Sequence, residues 1–136
     1  MSVSERAAAL DVCYPAQPSQ IPLIRMAVAD VARRFGAGRD ALLQINLAVT
    51  EAVTNAVVHA FRDSDAPCAG AVRIVVQPDG RGCLDVLVRD EGVGLTPRVD
   101  SPGLGLGLGL MVHESDGFEA RTPPGGGTEI VLRFRL

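Results

Sequence analysis

From Asp40 to about Phe61 no glycine or proline interrupts the chain, although the whole sequence carries 15 glycines and 9 prolines. Glycine weakens a helix through its backbone freedom and proline through its missing N–H, so a long window free of both marks the longest element, a helix. Asp40 stands at its start, and Leu43, Leu47, Thr50, Thr54 and Val57 recur along one side. A shorter helix comes before it. From Ile21 to Phe35, Leu23, Ala27 and Val31 repeat at every fourth position with Ile24 and Val28 beside them. Ser19 is placed to cap this helix, and Gly36 and Gly38 stop it.

The rest of the chain reads mainly as strands. Residues 10–14 alternate weakly before Pro15 and Pro18, which suits a short edge strand followed by a turn. Arg62 to Gly70 is loop-like, Val72 to Gln77 is β-branched, and Pro78-Asp79-Gly80 supplies a turn into Leu84 to Arg89, so these two strands form a hairpin. Gly92 to Gly107 is too glycine-rich for regular structure. Leu108, Met111, Val112 and Ser115 fall at helical spacing, Asp116-Gly117 ends that short helix, and strands near Phe118–Arg121 and Glu129–Leu136 follow. The order is β-α-α-β-β-α-β-β. It predicts an α+β fold, a two-layer sandwich with helices packed on one face of a mostly antiparallel mixed sheet.

Length and composition bound what such a fold can do. At 136 residues the chain is expected to be a single domain, 1–136, and with 47% apolar and 21% charged residues it has enough apolar surface to fold. A net charge of -3 gives no field for attracting a phosphate backbone, which argues against direct nucleic-acid binding and against an anionic membrane surface. All 13 basic residues are arginine, which excludes the lysine of a Walker-type phosphate loop and any Schiff base. Cys13, Cys68 and Cys83 are odd in number and widely spaced, so they read as reduced, mostly packed thiols. No signal-like segment opens the sequence and no run approaches the ~20 apolar residues of a membrane span, which points by default to the cytoplasm.

Four segments carry candidate chemistry. Glu51, Asn55 and His59 recur at helical spacing in one row. Magnesium keeps much of its water and takes few protein oxygens, so Asn55 could supply one, while Glu51 could accept a proton from a hydroxyl attacking a terminal phosphate. A solvated polar stripe is the plainer reading of the same residues, and His59 stays with it. Asp90-Glu91-Gly92-Val93-Gly94 follows a strand directly. There Asp90 could accept from the exocyclic amine of adenine, and Gly92 and Gly94 let backbone amides approach a nucleotide, although Asp and Gly also build ordinary turns. Gly103 to Gly109 alternates glycine with leucine and opens a helix, exposing amides and the positive helix end to a polyphosphate. A hinge or a glycine-weakened strand would read the same. Gly125-Gly126-Gly127-Thr128 places one hydroxyl at a strand start.

Together and in this order, the four segments resemble the GHKL, or Bergerat-type, ATP-binding fold of histidine kinases, gyrase-type topoisomerases, mismatch-repair ATPases and heat-shock-type chaperones. The run Thr50-Glu51-Ala52-Val53-Thr54-Asn55-Ala56-Val57-Val58-His59-Ala60-Phe61 is especially similar to the first nucleotide box of bacterial anti-sigma-factor serine/threonine kinases, over about residues 8–136. The resemblance implies ATP and Mg2+ as ligands. It implies Glu51 as general base, Asn55 as the metal ligand, Asp90 as adenine acceptor backed by Thr128, Gly92 and Gly94 as pocket floor, and Gly105 and Gly107 as the phosphate turn. It further implies a serine of an anti-anti-sigma partner as substrate, a sigma factor as second partner, and a homodimer formed through the first strand.

One departure qualifies the likeness, and one absence argues against the sensor-kinase branch. Only Leu95 to Pro102 lie between Gly94 and Gly103, short for the lid that covers ATP in many members, and a short lid exposes the nucleotide and slows transfer. A helix bearing a phospho-accepting histidine, which a complete sensor kinase would carry upstream, is missing. The readings in competition are a serine kinase, a catalytically weak ATP-binding module acting through partner binding, and a detached catalytic domain serving a histidine phosphotransfer partner.

Overall fold

The structure, a computed structural model, describes residues 8–63, 70–90, 109, 111–122 and 127–136, with 59–63 described in backbone only. The strands are β1 (Leu10–Pro15), β2 (Ala71–Pro78), β3 (Cys83–Asp90), β4 (Gly117–Arg121) and β5 (Thr128–Arg135). They form one five-stranded sheet in the order β1-β2-β3-β5-β4. Every pairing among the described strands is antiparallel, so the sheet has no parallel component there. Helices α1 (Ile21–Arg34) and α2 (Arg39–Asp63) pack on each other and on the sheet, and residues 111–114 are helical. The α+β two-layer architecture is the expected one.

Period-two alternation builds the floor of the core. In β3, Leu84, Val86, Val88 and Asp90 are buried, while the residues between them are partly exposed. In β5 the buried set is Thr128, Ile130, Leu132 and Phe134. β1 is an edge strand, as its prolines suggested. On β1 Cys13 is exposed, so the expectation of packed thiols fails there; its register partner Arg73 puts it on the sheet face away from the helices. Cys83 is half-buried, and Cys68 lies outside the described residues.

α1 buries Ile24, Val28 and Val31 as its periodicity suggested, whereas α2 turns a different side inward than its leucine row suggested. Leu43 and Leu47 are 56% and 45% exposed, and Leu23 also faces out. The buried residues are Ile24, Val28, Val31 and Ala32 on α1 and Ile45, Ala48, Val49, Ala52, Val53, Ala56 and Val57 on α2. Four residues advance a helix by about 400°, so neighbouring rows repeat equally well and spacing alone does not choose between them. The alanines decide it: Ala48, Ala52 and Ala56 let the axis of α2 come close to β3 and β5, which the bulkier leucine row would hold away. The segment Arg39–Val58 is long and apolar enough to cross a membrane by composition, contrary to expectation, and in this fold its Ile45–Ala56 side forms the core.

The ends of the elements follow local chemistry. A 3-10 turn, Pro18–Gln20, leads into α1, whose N-cap is Gln20 without a side-chain bond, so Ser19 does not cap. Gly36 does stop the helix: at φ +93° its N–H donates to the Arg33 carbonyl at 3.0 Å while that of Ala37 reaches back to Ala32 at 2.9 Å. This double bond pattern is a Schellman closure, which needs a left-handed residue at that point. Asp79 organises the β2–β3 turn by accepting from the N–H groups of Arg81 and Cys83 at 2.7 and 2.9 Å. Those donors hold its carboxyl below the usual range, and Arg133 adds an ion pair.

Candidate functional site

Asp90 and Thr128 are the buried polar residues among those described, at 4% and 5% exposure. Antiparallel register makes them direct partners, the last residue of β3 beside the first of β5. Both belong to the helix-facing rows, so a carboxylate and a hydroxyl close one end of an otherwise apolar row, beside Val72 of β2. A buried carboxylate is expensive unless its oxygens are bonded, and Asp90 does engage a partner in the fold. Carboxylate beside hydroxyl presents acceptors and one donor at fixed spacing, which suits an aromatic base carrying an amine next to a ring nitrogen.

Glu51 and Asn55 lie on α2, which packs on β3 and β5, the strands that carry Asp90 and Thr128. Each is half-buried and separated by one helical turn, between the core residues Ala52, Val53 and Ala56. Their backbone is therefore fixed by the core while their side chains keep an open side. The Thr54 hydroxyl donates to the carbonyl of Thr50 at 2.6 Å and so satisfies itself within the helix. No cluster of three or more His, Cys, Asp or Glu residues suited to a metal occurs among the described residues. The oxygen of Asn55 is a hard donor on a partly open surface and fits magnesium completed by phosphate and water. Gly92, Gly94, Gly105 and Gly107, the lid segment 95–102 and the side chain of His59 lie outside the described residues.

The register between Asp90 and Thr128 was not legible from their separate motifs. Met111, fully buried at the start of the short helix, joins the core. Arg89 was passed over altogether, though alternation within β3 places it on the sheet face opposite Asp90.

Residues 14–134 match the family model described as histidine kinase-like ATPase domain. The chain belongs to that family. Among curated relatives, the serine-protein kinase RsbW of Bacillus subtilis is 37% identical over 83 residues, spanning 61% of this chain and 49% of its own length. The anti-sigma F factor of Priestia megaterium is 28% identical over 123 residues and 82% of each chain. Against the RsbW proteins this chain spans about half the relative's length. A crystal structure of the RsbU and RsbW domains of a Mycobacterium tuberculosis protein superposes with a TM-score of 0.71 at 22% identity, over 93% of this chain and 32% of that one. The last likeness concerns the fold alone.

Proposed function

We propose that this member of the histidine kinase-like ATPase family is an anti-sigma-type serine kinase. In this reading it binds ATP with Mg2+, transfers the terminal phosphate to a serine of an anti-anti-sigma partner, and regulates a sigma factor. The observation that carries the reading is the buried Asp90–Thr128 pair, set by register beneath a helix bearing Glu51 and Asn55. The names of the RsbW and anti-sigma F relatives support the class of reaction.

Each residue has a distinct task. Asp90 accepts from the adenine amine, and Thr128 donates or accepts beside it. Gly92 and Gly94 line the base, and the amides around Gly105 and Gly107 take the phosphates. Asn55 would hold the magnesium, which when bound would supply positive charge for the phosphate oxygens. Glu51 takes the proton of the serine hydroxyl as its oxygen attacks the terminal phosphorus; the bond from that phosphorus to the bridging oxygen breaks and ADP leaves.

Transfer of labelled terminal phosphate to a serine of an anti-anti-sigma-type protein tests this. Glu51→Ala is expected to keep nucleotide affinity and to lose about a hundred- to ten-thousandfold in transfer, the usual contribution of a positioned base. Asn55→Ala is expected to remove the magnesium dependence of binding. Tight nucleotide binding without transfer, unchanged by Glu51→Ala, would replace the kinase by a binding module.

A further inference from the structure

We propose that the outer side of α2 is the docking surface for the protein substrate: Leu43 and Leu47, in one row with Glu51, receive apolar side chains that neighbour the acceptor serine. The inference rests on the kinase reading given above and adds how the partner is recognised.

The row is set by the helix. Leu43, Leu47, Glu51 and Asn55 follow at every fourth position of α2, so each side chain neighbours the next along one side. Leu43 and Leu47 are exposed, while Glu51 and Asn55 are half-buried. Val58, also exposed, stands seven residues beyond Glu51 and so on nearly the same side. The core is built from other rows of α2, Ala48, Ala52 and Ala56 among them, so packing within the fold does not require leucine at 43 or 47. A single exposed leucine is ordinary, but two in succession leading to the residue that takes the proton form a surface with a direction.

Position decides what covers it. A general base has to stand within hydrogen-bond reach of the hydroxyl it deprotonates, so the partner's serine is delivered to α2 beside Glu51. A helix rises 1.5 Å per residue, which puts Leu47 about 6 Å and Leu43 about 12 Å from Glu51 along the axis. A specific protein interface covers about 800 Å² on each partner, a patch roughly 16 Å in radius. A footprint centred near Glu51 therefore takes in both leucines. Between Asp40 and Glu51, and again from Ala52 to Val58, α2 carries no charged residue, so the matching surface of the partner is apolar rather than ionic.

Phosphotransfer kinetics with an anti-anti-sigma-type protein as acceptor test the surface. The comparison is between wild type, Leu47→Gln, Leu47→Met, the double variant Leu43→Gln with Leu47→Gln, and Leu23→Gln as a control on the exposed side of α1. Leu47→Gln should raise KM for the acceptor about tenfold and the double variant about a hundredfold, the effect of withdrawing one and two apolar side chains from a dry contact. The kcat and the ATP affinity should stay within about twofold, because binding shared by ground and transition states is what is removed. Leu47→Met and Leu23→Gln should remain within about threefold of wild type. An unchanged KM in the double variant would overturn the proposal. A fall in kcat or ATP affinity as large as the change in KM would do the same, as the mark of a disturbed site, and so would an equal rise in KM for Leu23→Gln. Self-association of wild type in sedimentation, abolished in the double variant, would give the surface to a second copy and overturn it as well. ATP binding without any transfer by wild type would remove the kinase reading and this inference with it, an outcome distinct from transfer with unchanged KM.

Discussion

At the scale of single residues, a charged oxygen bonded to a base is separable from one that merely closes a turn. Asp90→Asn is expected to lower ATP affinity about ten- to a hundredfold, since a hydrogen bond to a charged group is worth roughly 1.5–3 kcal/mol. Unchanged affinity and unchanged preference for ATP over GTP in a folded variant would reduce Asp90 to a turn residue. The candidate was legible because Asp90 closes an apolar strand and two nearby glycines follow. Its neighbour Thr128 is 38 positions away, and only the ladder between β3 and β5 shows that they touch the same space, as no local spacing encodes register. Asp79 offers an independent test by acid. Its folded-state proton affinity is lowered by the N–H donors of Arg81 and Cys83, so its contribution is present above the ordinary value of 3.8 and fades as pH falls through the lower folded value. Asp79→Asn should therefore flatten the stability profile below about pH 4 in urea titrations, and an unchanged acid limb would contradict the role.

At the scale of elements, existence and type were readable while the orientation of α2 was not. The window free of Gly and Pro announced α2, and the turn residues announced the hairpin, because backbone preferences act locally. Which side of α2 faces the sheet depends on how closely two elements can approach, a property shared between Ala48, Ala52 and Ala56 and the strands beneath them. Two substitutions compare the sides. Ile45→Ala should cost about 2–5 kcal/mol, because Ile45 is fully buried and leaves a cavity, whereas Leu47→Gln should stay within about 0.5 kcal/mol on the exposed side. Ala52→Leu should also destabilise, by about 1–3 kcal/mol, through overpacking between helix and sheet. Denaturant midpoints for the three variants decide the matter, and a larger loss at Leu47 than at Ile45 would reverse the orientation.

At the scale of the whole molecule, the polar groups argue for a ligand that completes the fold. The sheet and two helices enclose one apolar core, and its polar members, Asp90 and Thr128, sit together at one end of the β3–β5 ladder. A base seated there would contact β3 and β5 at once, beneath α2, so binding should stabilise the folded chain as a whole. Linkage sets the size of the effect: at about 100 times the dissociation constant, a ligand specific to the folded state adds about 2.7 kcal/mol. Each kcal/mol raises the melting temperature of a chain this size by roughly 2–8 °C, so millimolar ATP with magnesium should shift the transition well beyond measurement error. GTP should give a smaller shift, because its exocyclic groups place an acceptor where Asp90 needs a donor. Asp90→Asn should shrink the ATP shift without lowering the melting temperature of the free protein to the same degree. If ATP and GTP stabilise the wild type equally, the phosphates alone are being held and Asp90 does not read the base; if neither nucleotide shifts the transition, the buried pair serves packing.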